Sequence, residues 1–326
     1  MSQRTAYGGQ AVIEGVMIRG KEKVATAVRL QDGTISVRRD EADSLIKRYP
    51  WLRFAFVRGT PALIDSMRLG YRTLMWSADQ VMDAAPQSKP SSWQYFLTIF
   101  VSLLIGIGVF VLLPTYALKW VFPAAEHAAQ SRTLLEQLMP SWSALVPNIA
   151  EGVLRVILLI GYVVGISFNP EIRRVFAYHG AEHKVVNAYE DLGNDLTVAS
   201  ARTYSRIHPR CGTSFLFLVF VVGILLHSLF GWQEAWVRVI VRLLMLPLIA
   251  GTAYELIRLA GRWKKSLFLK LLVWPGLLLQ RLTTAEPTDD QIEVALHSLQ
   301  TVLQDEGVLK VDIAEPASPS APATAT

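Results

Sequence analysis

The stretch "FAYHGAEHKVVNAYE", residues 176–190, places His179, Glu182 and His183 within five positions. On a helix, positions i, i+3 and i+4 share a face, so two imidazoles can grip one metal ion while a carboxylate stands beside the open coordination position. His-x-x-Glu-His is the inverted form of the zinc-peptidase motif, in which both histidines bind metal and the glutamate takes a proton from the bound water. Alone, five residues are weakly specific. His179, flanked by Phe176 and Tyr178, also suits an ordinary residue at a membrane surface.

A second metal-capable pair follows in "RIHPRCGTSF", where His208 and Cys211 lie 24 intervening residues beyond His183. His-x-x-Cys suits a nitrogen and a sulfur ligand, and Pro209 would start a helix. Two ligand pairs joined by a short connection are the arithmetic of a tetrahedral zinc site. If His179, His183, His208 and Cys211 all bind, the site is closed and structural, and Glu182 only supports it. If three bind, water holds the fourth position and Glu182 is the general base. The spacing leaves both open, and Cys211 also fits a small buried residue at a helix start.

Other candidates carry less. "YEDLGNDL" groups Glu190, Asp191, Asn194 and Asp195 without the spacing of a calcium loop, and is expected to cap a helix in "LTVASARTYSRI". Glu14 is a lone carboxylate among apolar residues, expected to pair with Arg19 rather than to reach the metal site. Glu255 is functional if it faces the bundle interior, although Arg258 could neutralise it, and His227, alone in an apolar run, is thin evidence for a proton relay.

These residues need elements to position them. The mean hydropathy of +0.32 and the charged fraction of 18% do not suit a fully soluble chain. Spans are expected at about 95–118, 147–168, 213–232 and 236–257, the second and fourth with charged residues near their ends. Residues 1–93 carry 14 Lys or Arg and residues 169–212 carry 6, against Lys119 and Arg132 in 119–149, which puts both termini and the 169–212 loop on the cytoplasmic side of a cell membrane. No cleavable signal peptide is visible in residues 1–50. A single cysteine excludes an internal disulfide, and the net charge of +5 reflects the positive-inside bias, with no basic-aromatic patch for nucleic acid.

Residues 1–89 read as a small cytoplasmic α+β module: loosely alternating strands flank the hairpin signal "QDG", and "PALIDSMRLGYRTLMWSADQVM" has helical spacing. Residues 90–260 form the membrane domain. In 261–312, "RWKKSLFLKLLVWPGLLLQRL" reads as an interfacial or bundle-packed helix broken at Pro275–Gly276 and able to bury against a second copy, followed by a soluble helix capped by Thr288 or Asp289. Residues 313–326 read as a disordered tail.

The ordered motifs "GGQAVIEGVMIRG", "RGTPALIDS", "HGAEHKVVNAYE", "HPRCGTSF" and "WPGLLLQRLTTAEP", spread over about residues 7–300, resemble the YqhQ-like family of bacterial membrane proteins. That resemblance implies a predicted metal-dependent enzyme of unknown substrate. It also implies a cysteine where this chain has Ala188, so a thiol there is dispensable and Cys211 is the available sulfur ligand. The expectation is therefore an α-helical integral membrane protein of about four spans, in contact with membrane lipid. Its function is a zinc-dependent enzyme, a hydrolase at the cytoplasmic surface, with Glu182 catalytic. The alternative is a scaffold or assembly factor with a structural zinc. A transporter would need more polar residues than His227 and Glu255 along the spans.

Overall fold

A computed structural model of the chain describes residues 7–81, 92–209, 211–262 and 267–309. The tail at 313–326 and most of the linker "PQSKPSS" lie outside them. Gly8–Val12 (β1), Gly15–Arg19 (β2), Lys23–Arg29 (β3) and Ile35–Glu41 (β4) form an antiparallel meander in the order β1-β2-β3-β4. The hairpin expected at "QDG" forms: Gly33 takes φ 85°, and Asp32 accepts from the Thr34 N–H at 2.9 Å.

The helices are Leu45–Arg48 (α1), Gly59–Val81 (α2), Ser92–Ile107 (α3), Leu113–Val121 (α4), Pro123–Gln130 (α5), Leu134–Leu138 (α6), Leu145–Ser167 (α7), Pro170–Leu192 (α8), Val198–Arg202 (α9), Gly212–His227 (α10), Ala235–Arg262 (α11), Leu267–Thr283 (α12) and Asp289–Asp305 (α13). A π-helical turn, Gly108–Leu112, joins α3 to α4 just before Pro114, which cannot donate a backbone hydrogen bond.

Strand alternation was loose in the sequence because the sheet is buried on both faces. Val12, Met17, Val24 and Val28 pack toward Leu69 and Trp76 of α2. Val16, Ile18, Ala25 and Ala27 pack against Tyr178, Ala181 and Val185 of α8 and Ile292 and Leu299 of α13. The buried Ser298 hydroxyl accepts from Ile18 N–H at 3.1 Å and donates to Ala25 C=O at 3.0 Å, sewing α13 to the sheet. The sheet thus shares one core with the helix bearing His179 and with the C-terminal helix. Thr288 caps α13 in a capping box with Gln291, as expected.

Among the described residues, three helical runs are long and apolar enough to cross a membrane: Phe96–Val121, Trp142–Ser167 and Ala235–Leu259. The third apolar run in sequence order, α10, has 16 residues and rises about 24 Å, short of the ~30 Å hydrocarbon core. It ends at His227, where the sequence had suggested continuation to 232.

Four local expectations change. α12 does not break at Pro275–Gly276 but runs on to Thr283, since α7, α10 and α11 pack around it and hold the helix past the missing N–H. α9 spans Val198–Arg202 and takes Thr197 as its cap, so the acidic "YEDLGNDL" does not cap it. Glu14 pairs with Arg174 and accepts from Tyr178, both on α8, and not with Arg19. Burial and the neighbouring Glu14 carboxylate push the Tyr178 hydroxyl above its ordinary range. Glu255 is met by a bidentate Arg58, at 2.6 and 2.5 Å, from the N-terminal segment.

That Arg58 contact lies where the N-terminal segment seats on α11. A Cβ at Gly251 would stand 1.8 Å from the Phe56 carbonyl oxygen, so backbone lies against backbone there. Gly251→Leu is therefore expected to lower stability by about 1–3 kcal/mol or more, read as a drop in the thermal midpoint of the detergent-purified protein. An unchanged midpoint would mean that this seat forms no part of the stable fold.

Candidate metal centre

α8 begins at Pro170, with the Asn169 side chain capping Glu171 N–H at 2.8 Å. Two and a half turns later it presents His179 and His183, whose rings lie 4.4 Å apart. Each ring is fixed through Nδ1 to a backbone carbonyl. His179 Nδ1 is 2.9 Å from Thr283 C=O, and His183 Nδ1 is 2.7 Å from Arg206 C=O. A carbonyl only accepts, so the proton sits on Nδ1 and each Nε2 keeps a lone pair for a ligand.

Cys211 supplies the sulfur. It is the N-cap of α10, its Sγ accepts from Thr213 N–H at 3.4 Å, and the helix N-terminus favours negative charge there. His179 Nε2 lies 3.2 Å from this sulfur, and donor atoms of His179, His183 and Cys211 all fall within 4.8 Å of one another. Zinc–nitrogen and zinc–sulfur bonds at a tetrahedral angle would set ligand atoms about 3.5 Å apart, so this donor set fits zinc without large movement.

His208 is brought near but not into the cluster. Its ring is 5.8 Å from that of His183, while its Nε2 faces Glu190 at 3.7 Å. Gln280 of α12 fixes the segment: it accepts from His208 N–H at 2.9 Å and donates to His208 C=O at 2.8 Å. Glu182 is buried beside the histidines. Gly9 N–H of β1 donates to its Oε1 at 2.9 Å, and Oε2 stands 3.4 Å from His183 Nε2. The cleft outside the cluster, about 590 Å³, is walled by Gly9 and Gln10, by Arg19, and by His179, Cys211 and Thr213.

Several residues that build this arrangement carried no signal in the sequence: the carbonyls of Thr283 and Arg206, the Gly9 amide, Gln280 and Lys184. Lys184 is buried, with Nζ donating to Arg202 C=O at 2.7 Å and pairing with Glu286 at 2.8 Å. Gly180 has a spatial reason as well. A Cβ there would stand 2.2 Å from the Ala285 carbonyl oxygen, so the glycine lets the 283–287 segment cross α8 and deliver Thr283 to His179.

The family described as "Protein of unknown function (DUF1385)" matches residues 54–305. The chain belongs to that family. This DUF1385 protein is also similar to "Uncharacterized protein YqhQ" of Bacillus subtilis (strain 168), 35% identical over 321 residues that cover 93% of this chain and 94% of that one. No solved structure matches the chain. All four histidine and cysteine candidates of this DUF1385 protein, and Glu182, lie inside the matched segment.

Proposed function

We propose that this chain is a multi-pass protein of the cytoplasmic membrane carrying an open zinc centre, and that it acts as a hydrolase at the cytoplasmic surface. On this reading α10 is a fourth, short span and both termini are cytoplasmic, following the Lys and Arg asymmetry. The observation that carries the enzymatic reading is the convergence of three donors, His179 Nε2, His183 Nε2 and Cys211 Sγ, beside an open cleft, with a carboxylate next to them. Three protein ligands with one open position is the catalytic pattern, whereas structural zinc sites are closed by four.

Bound zinc would supply Lewis acidity and make water a nucleophile near neutral pH. The chain's own residues do the rest. Thr283 and Arg206 carbonyls hold the two imidazoles in the ligating tautomer. The Gly9 amide satisfies one oxygen of Glu182 and leaves the other to take a proton. Arg19 on the cleft wall favours a substrate bearing negative charge. The scaffold reading needs His208 as a fourth ligand, and its Nε2 is turned toward Glu190.

Cobalt substitution of the full-length protein in detergent tests this. Three protein ligands leave a position that added thiocyanate or azide occupies, moving the visible bands. Bands that ignore both anions would establish a closed site and end the hydrolase reading. Glu182→Gln is expected to keep full zinc stoichiometry while lowering turnover of a hydrolysed substrate by about 10²–10⁴-fold. Loss of zinc from that variant would make Glu182 a ligand instead of a base.

A further inference from the structure

The far end of the bundle holds a second constellation of charged groups. α10 leads away from Cys211 to His227, about 24 Å along its axis. There Arg238 and Arg242 of α11 are buried with the carboxylates of Glu126 and Glu151, and Arg155 of α7, whose side chain is 11% exposed, joins them. Glu234, on the rim, is held by Gln137 and Trp236. Three guanidinium groups against two carboxylates leave one positive charge in excess inside an apolar bundle.

That excess is costly unless something offsets it, because a buried charge without a counter-ion loses its hydration for nothing in return. Among the described residues, Arg155 Nε, Arg242 Nε and His227 Nε2 are buried and have no hydrogen-bond partner. Arg242 and His227 are 4% and 7% exposed. All three residues line one cavity of about 180 Å³, whose remaining wall is apolar apart from Asn148, with Phe110, Phe220 and Leu246 among it. Two guanidinium N–H groups and an imidazole nitrogen without partners at one end, and a largely hydrocarbon wall along the rest, have the chemistry of an amphiphile's head and tail.

We propose that this cavity binds the head end of one anionic amphiphile from the membrane, its acidic group on Arg155, Arg242 and His227 and its first methylenes along the apolar wall, with the rest of the chain in the surrounding lipid. The site is separate from the histidine and cysteine cluster and does not depend on metal there.

Native mass spectrometry of the full-length protein in detergent tests the proposal with four probes at equal concentration: phosphatidylglycerol, oleate, phosphatidylcholine and inorganic phosphate. One retained phosphatidylglycerol or oleate per chain is expected, and which of the two is held more tightly identifies the head as phosphate or carboxylate. His227→Leu leaves the arginine–glutamate pairs in place and is expected to weaken retention about tenfold or more, the effect of losing hydrogen bonds to a charged group. Gly223→Leu is the second variant. A Cβ there stands 3.8 Å from Ile249 and 4.0 Å from His227, so the larger side chain enters the cavity without striking backbone, and it should abolish retention. Zinc content should be unchanged in both. Equal retention of phosphatidylcholine, equal retention of inorganic phosphate, or retention that neither substitution alters would overturn the proposal.

Discussion

Purified wild-type protein is expected to carry one zinc per chain, and His183→Ala is expected to carry almost none. Loss of one ligand from a three-donor site removes a bond and leaves a cavity where His183 is 1% exposed. The expected fall in affinity is larger than the 10–100-fold produced by losing an outer hydrogen-bond partner of a ligand. His179→Ala and Cys211→Ala should behave alike, because His179 Nε2 and Cys211 Sγ already lie 3.2 Å apart. His208→Ala should keep its zinc, since that ring faces Glu190. Elemental analysis after gel filtration reads all four variants. Zinc lost from His208→Ala as fully as from His183→Ala would restore the closed, four-ligand site and the scaffold reading with it.

This series separates ligation from folding. His183 is buried on α8, so its replacement also removes burial, and a misfolded variant would lose metal for a trivial reason. His183→Gln supplies a control of similar bulk with no imidazole, and should lose zinc while its thermal midpoint, measured in excess chelator beside chelated wild type, changes little. A ligand contributes stability through bound metal, and that contribution disappears when the metal is withdrawn from both proteins.

The histidine and cysteine candidates were legible in the sequence because the i, i+4 spacing of His179 and His183 survives any helical context. Cys211 was legible as a partner because "HPRCG" precedes an apolar run, and it became the cap of α10. His208 was grouped with them on spacing alone. What holds its segment in place, the clasp of Gln280 on its backbone, comes from a helix more than 70 residues later. The hairpin at Gly33 and the cap at Thr288 are local and were visible. The pairing of Glu14 with Arg174, across 160 residues, was not, because nothing near Glu14 encodes the approach of α8. The same holds for the charged residues of the apolar helices. Arg238 and Arg242 looked like side chains reaching outward from a helix end, yet they are 0% and 4% exposed and turned inward to Glu126 and Glu151.

Glu151→Leu is expected to be the most destabilising single substitution in the apolar bundle. Its fully buried carboxylate is 2.6 Å from Arg155, 2.6 Å from Arg242 and 3.6 Å from Arg238, and it accepts from Thr115 at 2.9 Å. Leucine fills similar volume, so the loss is electrostatic: the buried Arg238 and Arg242 and the partly buried Arg155 would keep only Glu126. Removing one partner of a buried pair costs about 3–5 kcal/mol, which is a large share of the ~5–15 kcal/mol that holds a typical domain folded. A marked fall in the thermal midpoint in detergent is therefore expected, or failure to accumulate in the membrane. The sign of the second substitution distinguishes charge from packing. Glu151→Leu combined with Arg242→Leu returns the positive excess from two to one, and should recover much of the lost stability, since an apolar pair of similar volume can replace a buried ion pair at little cost. If the double variant is less stable than Glu151→Leu alone, the two side chains serve packing independently, and charge balance is not what holds this end of the bundle together.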